Sequence, residues 1–83
     1  MSDELKNIAV IGLDDDGKPV VKEPIFINIS EFKNVKYLNI RKYYEENDQW
    51  FPTKKGLSLK IDQFEELIKI LKEKESEIKN LLK

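Results

Sequence analysis

The chain has 83 residues, with 15 Lys or Arg against 16 Asp or Glu, a formal net charge of −1, and neither cysteine nor histidine. That length fits one domain over residues 1–83, and a chain so small leaves enough apolar surface exposed that a homodimer is expected. Without Cys or His there is no disulfide framework, thiolate metal site, Cys nucleophile or imidazole base, so no metal, no cofactor and no enzymatic activity are expected.

Ile8 to Leu13 is a short apolar run suited to a strand. Asp14 to Pro19 (DDDGKP) is turn chemistry, because Gly17 can take positive φ and Asp side chains bond the local backbone. Val20 and Val21 resume the strand signal, and Pro24 marks an edge or bend. Ile25, Ile27 and Ile29 alternate with Phe26 and Asn28, giving one buried and one exposed face. Lys33-Asn34 is a plausible turn, since Asn tolerates the left-handed region. In the next strand, Lys36 to Tyr44, Leu38 and Ile40 share one face while Tyr37, Asn39, Arg41 and Tyr43 share the other. Glu45 to Asp48 is expected to be a polar loop, Thr53-Lys54-Lys55-Gly56 a turn, and Leu57 to Ile61 a strand.

From about Asp62 the period becomes helical, with Phe64, Leu67, Ile68, Leu71, Ile78, Leu81 and Leu82 forming an apolar stripe. Its start is poorly capped, with Lys60 or Ile61 where Ser, Thr or Asp is preferred. Around Lys74 and Glu75 the stripe loses an apolar layer, so the helix bends there or packs its second half against something other than the sheet. The expected fold is α+β: a four-stranded antiparallel sheet over about residues 7–61, followed by one amphipathic helix over about 62–82 (ββββα). The helix should bury Leu38, Ile40, Leu57 and Leu59, leaving the opposite sheet face to solvent, a second subunit or a ligand. No apolar run reaches the length of a membrane span, and the polar start MSDELKN is not a signal peptide; a cytoplasmic protein without a membrane role is expected, nucleoid-associated if bacterial.

Charge is unevenly spread. Residues 31–60 hold seven Lys or Arg (Lys33, Lys36, Arg41, Lys42, Lys54, Lys55, Lys60) against four acids, while both flanks are net acidic. Cations interleaved with aromatic rings suit a single-stranded nucleic acid, because cations follow phosphates and rings accept unstacked bases of any identity.

The joint order of Phe32-Lys33, Ile40-Arg41-Lys42-Tyr43-Tyr44 and Lys54-Lys55-Gly56-Leu57-Ser58-Leu59, then a helix with an aromatic at Phe64, resembles the positive cofactor four family of transcriptional coactivators. More narrowly, it resembles that family's single-stranded-DNA-binding domain and its bacterial and phage relatives, over roughly Ile25 to Leu71. The resemblance implies a homodimer whose curved sheets bind antiparallel single strands or a melted duplex, with the helices in the dimer interface and the transcription machinery among its partners. It also implies that Phe32 and Tyr44 stack on bases, and that Lys33, Arg41, Lys54 and Lys55 meet phosphates. Lys36 joins this set beside Val35, which stands where the family often has a second turn lysine. Tyr44 replaces a more usual Trp, and Asn34 a Gly.

Each residue also has a plainer reading. Arg41 could pair with Glu31 or Glu45; Phe32 and Tyr44 could be core or interface aromatics; Trp50 could be core, interface or stacking platform. Asp14-Asp15-Asp16 lacks the alternating spacing of a calcium loop and reads as a solvated turn. At the level of function, the alternatives to single-stranded DNA are single-stranded RNA and a protein-interaction module using the same sheet face.

Overall fold

The computed structural model describes residues 6–83; the polar start at residues 1–5, read above as no signal peptide, lies outside the described residues. Four strands, β1 (Lys6–Ile11), β2 (Ile25–Phe32), β3 (Val35–Glu46) and β4 (Gln49–Leu59), form one antiparallel meander in sequence order. Two helices follow, α1 (Ile61–Glu73) and α2 (Glu75–Leu82). The α+β class and the sheet agree with the sequence reading, and the single helix is corrected to two.

Between β1 and β2, Asp14 folds the acidic run onto itself: its Oδ1 accepts the N–H groups of Asp16 (2.9 Å) and Lys18 (2.8 Å). Gly17 supplies the positive φ of 80°. Val20 and Val21, expected to resume a strand, lie in a series of exposed bends instead. Strand pairing restarts at buried Pro24, whose carbonyl accepts the Tyr43 N–H at 2.9 Å. The β2–β3 turn is Lys33-Asn34 as expected, both at positive φ (52° and 65°), the backbone of a type I′ hairpin whose twist matches its strands.

The β3–β4 hairpin is longer than the sequence suggests. Glu45 and Glu46 continue β3, pairing with Trp50 and Gln49, and the expected polar loop shrinks to Asn47-Asp48, again both at positive φ (53° and 64°). Aromatic rings on both faces hold this ribbon together. Phe26 stacks on Tyr43 at 4.3 Å and meets Trp50 at 5.4 Å, while Tyr44 meets Phe51 at 5.6 Å. Such pairs add about 0.5–1.5 kcal/mol each beyond their buried area.

The expected turn at Thr53-Lys54-Lys55-Gly56 is part of β4. Arg41 pairs with Gly56 and Tyr43 with Pro52, so Thr53, Lys54 and Lys55 together oppose Lys42 in a bulge. Thr53 closes it: its Oγ1 donates to the Lys42 carbonyl (2.8 Å) and accepts the Lys55 N–H (3.1 Å). At Gly56 a Cβ would stand 2.7 Å from the Cα and Cβ of Arg41 and from the Ile40 carbonyl oxygen. Glycine is therefore required by the close approach of β4 to β3.

Lys60 precedes α1 as its cap residue, and Gln63 reaches back so that its Oε1 accepts the Lys60 N–H at 3.1 Å. Lysine has no acceptor with which to return the bond, so half of a capping box stands in for the missing Ser or Thr. Phe64, Leu67 and Ile68 are half-buried against the sheet. Coverage is thinner than expected, because Leu38, Ile40 and Leu59 are half-buried and Leu57 is exposed. At Lys74 (φ −106°, ψ 11°) the backbone leaves helical geometry where the apolar stripe lapses, and α2 meets α1 only at their junction and does not reach the sheet. Leu81 and Leu82 are 76% and 80% exposed. Among the described residues Pro24 and Asn28 alone are buried.

Asn28 is 2% exposed and belongs to a polar spine on the face away from α1. Asn39 Nδ2 donates to Asn28 Oδ1 (3.0 Å) and Ser30 Oγ (2.9 Å), and Asn39 Oδ1 accepts from Ser58 Oγ (2.6 Å). One side chain thus ties β2, β3 and β4 in register.

Asn39→Ala should lower stability by about 1–3 kcal/mol, since buried Asn28 loses its donor. Gly56→Ala should cost a similar ~1–3 kcal/mol through overpacking against backbone. Urea denaturation of both variants checks this; wild-type midpoints would remove these two sites from the account of the sheet.

Candidate nucleic-acid interface

Strand alternation sorts the side chains into two faces. Register pairs Ile27 with Ile40 and Leu57, and Ile29 with Leu38 and Leu59, on the face that α1 partly covers. The other face carries Phe26, Arg41 and Gly56 in one row, Asn28, Asn39 and Ser58 in the next, then Ser30 with Tyr37, and Phe32 with Val35. It is an open face lined by hydrogen-bonding groups and rings.

Arg41 sits in the middle of β3. It pairs with neither Glu31 nor Glu45; its Nη1 donates to the Thr53 carbonyl at 2.9 Å. One donor of the fork is thereby anchored, which orients the guanidinium and leaves its remaining N–H groups available. The same bulge presents Lys54 and Lys55, both exposed. Thr53 thus links Arg41 to the segment, 13 residues on, that carries Lys54 and Lys55. Among the described residues Lys33, Lys36, Arg41 and Lys54 form no ion pair, whereas Lys55 Nζ lies 3.0 Å from Glu23 Oε1.

Phe32 and Lys33 mark the far end of the face. Phe32 is 51% exposed, which removes the core reading for it, and Lys33 Nζ stands over its ring at 5.2 Å from the centroid. They lie six residues along β2 from the Phe26–Arg41 row, about 20 Å at strand rise. Two clusters therefore bracket the polar spine.

Lys36 and Tyr44 fall elsewhere. Lys36 pairs across from Glu31 and lines, with Ile29, Leu38, Leu59 and Phe64, an apolar cleft of about 240 Å³ beside α1. Alternation puts Tyr44 on the opposite face from Arg41, paired with Phe51, both rings more than a third exposed. A base on Tyr44 and a phosphate on Arg41 would thus lie on two sides of the ribbon, not side by side. Trp50 is half-buried against Phe26, on the face of Arg41 and Tyr43.

Sequence reasoning missed Glu23, Thr53, Phe51 and the Asn28–Asn39–Ser58 spine. A Thr two residues before a lysine near a strand pairing with Arg is a weak signal for the bulge; Glu23 carries none, since its partner is 32 residues away. Among the described residues no group of three or more acidic side chains is placed to hold a metal ion, and no helix is long and apolar enough to cross a membrane.

The family described as Transcriptional Coactivator p15 (PC4) matches residues 22–70. A Neurospora crassa protein, provisionally named an RNA polymerase II transcriptional coactivator, is 40% identical over 45 residues, 54% of this chain and 26% of that protein. The RNA polymerase II transcriptional coactivator of Drosophila melanogaster is 35% identical over 54 residues, 65% of this chain and 49% of its own length. The chain thus spans about half or less of the curated relatives it matches, and both are eukaryotic, so the narrower resemblance to bacterial or phage relatives finds no support. No solved structure gives a significant match. With more than half of the chain inside the matched region, including all seven candidate residues, the protein belongs to the Transcriptional Coactivator p15 (PC4) family.

Proposed function

We propose that this chain is the single-stranded-DNA-binding module of a transcriptional coactivator and works as a homodimer. The observation that carries the reading is the β4 bulge. It ties Arg41 to the segment that carries Lys54 and Lys55 at one end of the sheet, with exposed Phe32 and Lys33 at the other. Phosphates follow the two cationic ends, and bases are received by Phe32 and, where the strand turns round the ribbon, by Tyr44 with Phe51. A net charge of −1 disfavours general adsorption to duplex DNA, so selectivity for unpaired strands rests on stacking. The transcription role follows the names of the two relatives.

The dimer reading rests on what the protomer leaves uncovered. Ile61, Ile70, Leu71, Leu81 and Leu82 are exposed along the helices, and two apolar clefts of about 240 and 290 Å³ flank α1. A second copy laid against the helices covers these while leaving the Arg41 face free.

Anisotropy titration with oligo-dT, a duplex and an RNA of equal length should favour oligo-dT, with a log–log salt slope of about −2 to −3 per subunit for three or four phosphate contacts. Tyr44→Ala should weaken binding by about 1–3 kcal/mol, the loss of one base–aromatic stack. A flat salt response, or lost stability at unchanged affinity per folded molecule, would overturn the stacking-plus-phosphate mechanism. Preference for RNA would redirect the reading to single-stranded RNA, and no nucleic-acid binding would favour a protein-interaction module. For the dimer, Ile78→Asp should shift sedimentation at micromolar concentration from dimer to monomer; a wild-type monomer would refute it.

A further inference from the structure

The geometry points to Glu23 as an internal competitor for the phosphate that Lys55 would otherwise hold, so that this chain tempers its own affinity for polyanions. The inference rests on the DNA-binding reading above.

Glu23 is the last residue before Pro24, and Pro24 is fixed: it is buried, and its carbonyl holds the Tyr43 N–H. The carboxylate therefore projects from the residue next to a fixed point of the chain. In β4, Thr53 Oγ1 fixes the Lys55 N–H within the bulge. The two side chains meet at 3.0 Å, with Glu23 at 24% exposure and Lys55 at 66%. Pro24, next to Glu23, and the Lys55 backbone are each held by bonds independent of the ion pair. The other described ion pairs, Lys74–Glu77 and Lys79–Glu75, are neighbours along the helices. This one joins the segment before β2 to the β4 bulge, 32 residues away.

A phosphate that takes the Lys55 ammonium for itself parts it from Glu23. The freed carboxylate then sits beside the polyanion and takes up a cation, so one counterion is regained for one released and the net salt dependence falls. Exposed pairs of this kind are modest, and their removal corresponds to about a two- to fivefold change in affinity. Arg41 and Lys54 carry no such brake. Binding should thus depend on Arg41 more than on Lys55 in the wild type, with the order narrowing once Glu23 is neutral.

The test is a double-mutant cycle with oligo-dT as probe, across a range of salt, on wild type, Glu23→Gln, Lys55→Ala and Glu23→Gln/Lys55→Ala, with thermal melting of each. Glu23→Gln should tighten binding about two- to fivefold and steepen the log–log salt slope by about 0.7. In the Lys55→Ala background both gains should largely vanish. Equal tightening in that background would make Glu23 a general repulsive charge and overturn the inference, as would no tightening in the wild type. Failure of all four proteins to bind oligo-dT while folded would instead overturn the DNA-binding reading, and the inference with it.

Discussion

The close contact between β3 and β4 at Arg41 and Gly56 is the constraint on which the rest of the molecule depends. Gly56 lets the two backbones approach, and Thr53 closes the bulge that follows. From that point the ribbon runs on to the Asn47-Asp48 turn, and the bulge projects Lys54 and Lys55 beside an arginine held by the same loop of chain. A bulge bends and twists its strand more strongly than regular pairing does. The basic cluster and the curvature of the surface that carries it therefore have one cause.

The protomer is held together less by a core than by its ladder. Among the described residues Pro24 is the one apolar side chain that is fully buried, and a domain this small starts with little apolar area to bury. The Asn28–Asn39–Ser30–Ser58 spine supplies register where hydrophobic packing is thin, because a slip by one residue would strand its donors. The polar spine, Phe26 and Arg41 occupy one face of the sheet, while Lys36, Tyr44 and Phe51 fall on the other, which α1 partly covers.

Much of this is legible in the sequence, and the failures have physical causes. Alternation in Ile25 to Ile29 and in Leu38 to Arg41 sorts the side chains into the right two faces, but the expected exposed face is not exposed there: Phe26, Asn39 and Arg41 are half-buried and Asn28 is buried, because polar partners across the strands cover it. The helical stripe gives α1, and its lapse at Lys74 and Glu75 marks the break into α2. The Glu45 to Asp48 stretch misleads because its polarity resembles a loop, while the stabilising contacts come from Tyr44 with Phe51 and Tyr43 with Phe26, pairings that no local window contains. Lys54-Lys55-Gly56 misleads similarly, since a glycine after two charges signals a turn unless the opposing strand is known. Arg41, Lys54 and Lys55 are identifiable as candidates by residue type, but the link that Thr53 makes between them and the capture of Lys55 by Glu23 are tertiary facts.

Both outer strands of the meander have defects in their pairing. β1 slips register between Asn7 and Ala9, and β4 carries Pro52, which has no N–H to offer, next to the Thr53–Lys55 bulge. An open four-stranded sheet with unburied isoleucines and leucines is otherwise a template for strands of other copies to add on edge to edge. Here each rim presents an interrupted row of donors and acceptors, and β4 adds two ammonium groups. The bulge that shapes the basic cluster thus also protects the chain from aggregating through its sheet, and straightening β4 would remove that protection together with the cluster.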